Sequence, residues 1–112
     1  MGLWDEATRT VWLDCGLTGV ERRCTLVHEL VHAERGDVPC EDPVLAVRQE
    51  RIVDREAARR LVPVALLADG LRWTVRAEEL AAVLEVDLAT LRTRLRCLTD
   101  AERAAIGERL GQ

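Results

Sequence analysis

Residues 18–36 read Thr-Gly-Val-Glu-Arg-Arg-Cys-Thr-Leu-Val-His-Glu-Leu-Val-His-Ala-Glu-Arg-Gly. Thr18 and Glu21 have the spacing of a capping box, in which each side chain satisfies a free backbone N–H at the start of a helix. Gly36 is the residue type that most readily takes the left-handed conformation found at many helix ends. The stretch therefore predicts one helix that begins after Thr18 and ends before Gly36.

The only two histidines of the chain lie inside this predicted helix as an H-E-x-x-H motif, with Glu29 directly after His28 and with His32 four residues beyond His28. Residues at i and i+4 share a helix face, so both imidazoles can reach one metal ion. Zn²⁺ lowers the pKa of a bound water toward ~7, and a neighbouring glutamate can accept its proton. The motif predicts one Zn²⁺ per chain, His28 and His32 as ligands, and Glu29 as the general base that later protonates the leaving amine.

A catalytic zinc requires a third protein ligand, and the next predicted helix carries three acidic candidates: Glu50, Asp54 and Glu56. Glu50 and Asp54 lie four residues apart and share the face expected to pack on the first helix. This favours Glu50 as the ligand and Asp54 as a partner that orients a histidine through its free ring N–H. Glu56 falls on a different side of the helix, and Cys40, in the connecting loop, is a further alternative.

Local signals divide the rest of the chain into mostly helical segments. The segment Thr10-Val11-Trp12-Leu13 favours a β-strand, in a small hairpin or as an edge strand. Further helices are predicted after the first. The second helix begins at Asp42-Pro43 and ends at about Leu61, and a short third helix ends at Asp69-Gly70. The others span Thr74 to Leu84, Leu88 to Leu98 after a cap at Asp87, and the residues that follow the capping box of Thr99 and Glu102. The pattern predicts an α+β fold, mostly helical, with a short N-terminal hairpin or sheet and about five helices.

Length and composition limit the function classes. A chain of 112 residues suits a single domain, 1–112, with the metal motif in residues 1–70 and a helical tail in residues 71–112. The net charge of −4 and the aromatic content of 3% disfavour nucleic acid as the main partner. No apolar run is long enough for a membrane span. The four cysteines form no C-x-x-C pair and no export signal precedes them, so we expect free thiols in the cytoplasm. These cysteines are Cys15, Cys24, Cys40 and Cys97.

Two blocks of the chain resemble the ImmA/IrrE-type zinc metallopeptidases. Residues 23–33, Arg-Cys-Thr-Leu-Val-His-Glu-Leu-Val-His-Ala, are similar to the family helix R-x-T-L-A-H-E-L-x-H. Residues 50–63 are similar to the family pattern E-x-x-A-N/D-x-F-A-x-x-L-L-x-P, with Pro63 at its end. In that register Glu50 stands at the third zinc ligand and Asp54 at the Asn/Asp. The chain departs from the pattern at Glu56, where an aromatic residue is usual, and at Arg60, which replaces an apolar residue.

This resemblance implies a minimal zincin fold and the activity of a zinc metalloendopeptidase. It implies a specific regulatory protein as substrate, such as a helix-turn-helix repressor of a phage or mobile element, whose cleavage would derepress transcription. The edge strand before the motif helix, here Thr10, Val11, Trp12 and Leu13, is then expected to bind an extended substrate by β-addition.

Two alternatives remain open at this point. A non-catalytic zinc-binding module could hold a repressor or antitoxin without cutting it. A DNA-binding protein could use residues 78–96, whose apolar spacing resembles a helix-turn-helix and whose Arg92, Arg94 and Arg96 could face phosphates. The acidic Glu85 at the turn and the balanced charge of residues 71–112 disfavour DNA contact. The oligomeric state is not indicated by the sequence.

Overall fold

The computed structural model describes residues 2–5, 10–13, 16–38 and 40–111, and it describes the backbone alone for residues 2–5 and 10–13. Within these ranges, two short strands precede six helices. In chain order the elements are β1 (Gly2–Asp5), β2 (Thr10–Leu13), α1 (Gly19–Arg35), α2 (Pro43–Leu61), α3 (Val64–Trp73), α4 (Ala77–Leu84), α5 (Leu88–Arg96) and α6 (Asp100–Leu110).

The predicted caps of α1 are confirmed. The Thr18 hydroxyl accepts the Glu21 N–H at 3.1 Å, and Glu21 Oε1 accepts the Thr18 N–H at 3.0 Å. Gly36 ends the helix in the left-handed region, with φ 70°. The helix that carries the histidines is therefore held at both ends by bonds that depend only on residues 18–36.

Helix α2 also begins as predicted, with the Asp42 carboxylate accepting the N–H groups of Val44 and Leu45. The predicted stop of the next helix at Gly70 is wrong, because α3 continues to Trp73. Gly70 is buried against α4, where a Cβ would lie only 2.7 Å from Leu80 Cδ1. The glycine allows two helices to approach closely and does not end one of them.

The last three helices follow the predicted caps. The Asp87 carboxylate accepts the Thr90 N–H at 2.7 Å, and Thr99 and Glu102 form the second capping box. Helix α4 begins at Ala77, three residues later than expected, and ends at Glu85 in the left-handed region with φ 56°.

Helices packed on helices form the hydrophobic core. Helix α1 packs on α2, α2 on α5, and α3 on both α4 and α6. The main cluster runs from Cys24 of α1 to Ile106 of α6, so it joins residues of the metal-motif segment with those of the C-terminal tail. A second cluster of Val31, Val53 and Ala57 lies between α1 and α2, directly behind the histidines.

The expected α+β fold class is wrong, and so is the expected sheet of a minimal zincin. Every buried hydrophobic side chain of the described residues belongs to a helix or to a residue joining two helices. Among the described residues the core is therefore all-helical, and it is built from six helices rather than about five. In the same part of the chain the backbones of β1 and β2 pair with each other, with Gly2 opposite Leu13 and Asp5 opposite Thr10. Two four-residue strands are too few to form a layer of a domain.

Arg23 connects the motif helix to the ends of two other helices. Its Nη1 donates to the carbonyl oxygens of Leu84 at 3.1 Å and Glu85 at 2.8 Å, and its Nη2 donates to that of Leu61 at 3.4 Å. A cation is favourable at the carbonyl end of a helix, where the peptide dipoles leave partial negative charge. Arg23 thereby fixes α1 relative to α2 and α4.

Two further predictions concern free cysteines and the absence of a membrane span. Cys24, Cys40 and Cys97 are free, whereas Cys15 lies outside the described residues. Among the described helices, none combines the length and the apolar character that crossing a bilayer requires.

Candidate metal centre

Helix α1 presents its two histidines side by side on one face. The ring centroids of His28 and His32 lie 4.8 Å apart, with the ring planes at 78°. Val31, between them in sequence, points the other way and is 1% exposed in the core. The buried face thus fixes the rotation of the helix and leaves both imidazoles at the surface toward α2.

Helix α2 brings Glu50 between the two rings. Glu50 Oε2 lies 3.0 Å from His28 Nε2, and Glu50 Oε1 lies 2.9 Å from His32 Nε2. The ligand atoms of the three residues all lie within 4.8 Å of one another. His28, His32 and Glu50 therefore form a group that can hold a metal ion, as the sequence predicted.

Two carboxylates compete for the ring protons of His32. His32 Nδ1 lies 3.0 Å from Asp37 Oδ2, while its Nε2 faces Glu50. A neutral imidazole carries one N–H, so it can donate to only one of these carboxylates. The other nitrogen then directs a lone pair at a negative oxygen. A metal ion between Nε2 and Glu50, or a second ring proton, removes that repulsion, and two imidazoles with one carboxylate are a common ligand set of catalytic zinc.

Asp37 is the site residue that the sequence analysis missed. It follows the helix-ending Gly36, and its side chain is only 11% exposed. Burial raises the pKa of Asp37, but hydrogen bonds from Arg35, Gln49 and His32 outweigh burial and leave that pKa below its ordinary value. The signal in the sequence is an aspartate that lies five residues after the second histidine and directly after the glycine that ends the helix.

Asp54 contacts the ring nitrogen of His28 that also faces Glu50. Its Oδ1 lies 3.1 Å from His28 Nε2, the same nitrogen that Glu50 approaches. The predicted orienting role requires the other ring nitrogen, and that nitrogen faces Glu29 Oε1 at 3.6 Å. Asp54 therefore lies at the edge of the group formed by His28, His32 and Glu50 rather than behind one of its histidines.

The other candidate ligands have different partners. Glu56 binds Arg59 and Arg60 at 2.6–3.0 Å, and its pKa falls to about 2 because these guanidinium groups favour the carboxylate. Arg60 also pairs with Glu34 of α1, so the two departures from the family pattern form one charged cluster on the α1–α2 surface. The Cys40 thiol donates to the Asp42 carbonyl at 3.6 Å. Neither Glu56 nor Cys40 belongs to the group of potential ligands among the described residues.

A cleft of about 250 Å³ opens beside His28 and is lined by α1, α2 and the start of α5. Glu29 and Asp54 line it together with His28. Its other polar lining includes three threonines and a cysteine: Thr25, Thr90, Thr93 and Cys24. Burial raises the pKa of the Cys24 thiol, so the thiol stays protonated and is a poor metal ligand. The predicted base thus faces open space large enough for a small side chain.

The strand predicted to bind substrate has a defined backbone. Thr10, Val11, Trp12 and Leu13 form β2, which pairs on one side with β1. Both strands lie beside α1, the helix of the histidines. The position near α1 is compatible with binding of an extended peptide, and the role of these four residues stays a prediction.

The arginines proposed to contact DNA differ in environment. Arg94 is 4% exposed, donates through Nε to the Val62 carbonyl at 2.8 Å, and pairs with Glu102. Arg92 and Arg96 are exposed. Because Arg94 is buried and its donors are occupied, it cannot contact phosphate. The central arginine of the predicted recognition helix is therefore not available to bind DNA.

Comparison with family models, with curated proteins and with solved structures gives no significant match in any of the three.

Proposed function

We propose that the protein is a zinc-dependent metalloendopeptidase, similar to the ImmA/IrrE-type enzymes, that cleaves a specific regulatory protein. The observation that carries this proposal is the position of Glu50, whose two carboxylate oxygens lie 2.9–3.0 Å from the Nε2 atoms of His28 and His32. The cleft bordered by Glu29 supports it, because a base and a substrate need a shared space next to the metal.

In this proposal His28, His32 and Glu50 hold the ion. When bound, zinc supplies a Lewis acid that polarises a peptide carbonyl and makes water a nucleophile at neutral pH. A His/His/Glu set also accepts manganese or cobalt, so the identity of the ion follows from availability as well as from the ligands.

Glu29 performs the proton transfers. Its side chain is 15% exposed and borders the cleft, so the carboxylate is partly shielded from water but can reach a substrate. It accepts a proton from the attacking water as the water oxygen bonds to the carbonyl carbon. It then donates that proton to the amide nitrogen as the C–N bond breaks. A glutamine cannot accept or donate this proton but preserves the size of the side chain.

The proposed partner is a helix-turn-helix repressor of a phage or mobile element, and the proposed location is the cytoplasm. The backbone of β2 would hold an extended segment of that repressor through strand addition. A non-catalytic module that binds the same partner uses the same metal group and differs only in lacking hydrolysis. Cleavage is therefore the property that separates the two hypotheses.

The test is hydrolysis of a proteome-derived peptide library by zinc-loaded protein, with new N-termini identified by mass spectrometry. Wild-type protein and Glu34→Gln, a change on the exposed side of α1, should produce the same cleavages. Glu29→Gln should retain zinc and lose them, by at least about 100-fold in rate. Equal cleavage by Glu29→Gln would contradict the mechanism. Zinc binding without any cleavage by wild-type protein would favour the non-catalytic module.

A further inference from the structure

We propose that Asp37 is a positioning residue that fixes the ring of His32, so that its Nε2 lone pair is directed at the metal position beside Glu50. This inference rests on the metal site of the proposed function and adds a residue outside the H-E-x-x-H motif. The inference depends on the contact between Asp37 Oδ2 and His32 Nδ1, which lie 3.0 Å apart.

The turn after α1 places Asp37 against His32 through its backbone as well. The Asp37 N–H donates to the His32 carbonyl at 3.1 Å, and the left-handed Gly36 reverses the chain at that point. Asp37 thus binds His32 twice, once through the main chain and once through the ring. A side chain anchored in this way has little freedom to leave the imidazole.

Two further contacts orient the Asp37 carboxylate. Arg35 Nε donates to Oδ2 at 2.9 Å, the same oxygen that faces His32. The Gln49 side chain also hydrogen bonds to Asp37. Gln49 directly precedes Glu50 on α2, so Asp37 connects the helix of the histidines with the turn that carries the third ligand.

The chemistry explains why a carboxylate suits this position. An anionic acceptor at Nδ1 favours the tautomer with the proton on Nδ1, which leaves the Nε2 lone pair free to bind a metal. His28 has no equivalent partner among the described residues, because the nearest carboxylate to its Nδ1, that of Glu29, is 3.6 Å away. The support is therefore specific to one of the two histidines.

The test measures zinc affinity by competition with a chromophoric chelator and the absorption spectrum of the Co²⁺-loaded protein. Asp37→Ala should weaken zinc binding by about 10- to 100-fold and change the Co²⁺ spectrum. Asp37→Asn should recover part of the affinity, because the amide oxygen can still accept the Nδ1 proton. Glu41→Gln, an exposed change in the loop before α2, is the control and should bind zinc as wild type does.

Long-range ¹H–¹⁵N NMR of metal-free protein gives a second readout that does not depend on zinc. Wild type should show the Nδ1–H tautomer of His32, and Asp37→Ala should show a mixture of tautomers. Unchanged affinity, spectrum and tautomer in Asp37→Ala would overturn the inference while leaving the metal site intact. An equal loss of affinity in Glu41→Gln would also overturn it. Failure of wild-type protein to bind zinc would overturn the proposed function and this inference together.

Discussion

Nε2 of His32 lies 2.9 Å from Oε1 of Glu50, across the interface between α1 and α2. The contact joins two helices that pack through Val31, Val53 and Ala57 directly behind it. The hydrophobic cluster holds the helices together, and the polar atoms in front of it face one another. The candidate site is thus a consequence of how these two helices pack.

We expect Asp54→Asn to weaken zinc binding without abolishing it. Asp54 Oδ1 is 3.1 Å from His28 Nε2, but Asp54 does not belong to the three-residue ligand group. Removing its charge at the edge of the site should lower the affinity by about 10-fold, the lower end of the effect of groups that surround a metal. The measurement is a chelator competition, with Arg55→Gln on the exposed side of α2 as control. A loss as large as that caused by removing Glu50 would make Asp54 a direct ligand.

We expect the Arg94–Glu102 pair to make stability depend on acidic pH. The Arg94 guanidinium lowers the pKa of Glu102 from an ordinary 4.5 to about 2, with help from the Thr99 N–H. A carboxyl whose pKa is lower in the folded state stabilises the fold above its unfolded pKa. This contribution declines as pH falls from about 4.5 toward 2. Chemical denaturation between pH 7 and 2 measures it.

Glu102→Gln should reduce the free energy of unfolding at pH 7 by about 2 kcal/mol, because it removes the charge from the hydrogen bonds that Arg94 donates to this side chain. The same variant should have a flatter pH dependence between 4.5 and 2 than wild type. Glu108→Gln, an exposed change on the same helix, should change neither quantity. An unaltered pH profile in Glu102→Gln would contradict the assignment.

We expect no appreciable DNA binding. Arg94 is committed to Val62 and Glu102, and the net charge is −4. Fluorescence anisotropy with a labelled duplex at physiological salt should therefore show no binding tighter than about 10⁻⁴ M, the weak end of nonspecific affinity. Tighter, strongly salt-dependent binding that is lost in Arg92→Ala and Arg96→Ala would instead support the helix-turn-helix hypothesis.

Glu85→Gly should stabilise the fold by about 1 kcal/mol. Glu85 ends α4 with φ 56° and ψ 44°, a left-handed conformation that costs most side chains energy and costs glycine almost none. The Glu85 carbonyl accepts a hydrogen bond from Arg23, and the substitution preserves this bond because the acceptor is a backbone atom. The same substitution within α4, Glu79→Gly, should destabilise by a similar amount because glycine is unfavourable in a helix. Thermal denaturation of both variants should give shifts of opposite sign.

Local features were predictable from the sequence. The caps at Thr18, Asp42, Asp87 and Thr99 depend on residues two or three positions away, so short patterns identify them. Helix periodicity also identified Glu50, because it fixes which residues of α2 meet the neighbouring helix.

Features that depend on tertiary packing were not predictable in this way. Gly70 suggests a helix end by residue type, but its contact with Leu80 places it within α3. The burial of Arg94 depends on Val62, which is distant in sequence. The α+β expectation came from the β-prone residues Thr10–Leu13 and from the family resemblance. Neither indicates how much of the core a hairpin provides.

Zinc titration of metal-free protein measures whether His28, His32 and Glu50 bind one metal ion. Wild type should bind about one zinc per chain. Glu50→Ala should lose at least about 100-fold in affinity through removal of a ligand, whereas Glu56→Ala, on the same helix, should bind as wild type does. No zinc binding by wild type, or equal binding by Glu50→Ala, would contradict the proposed centre.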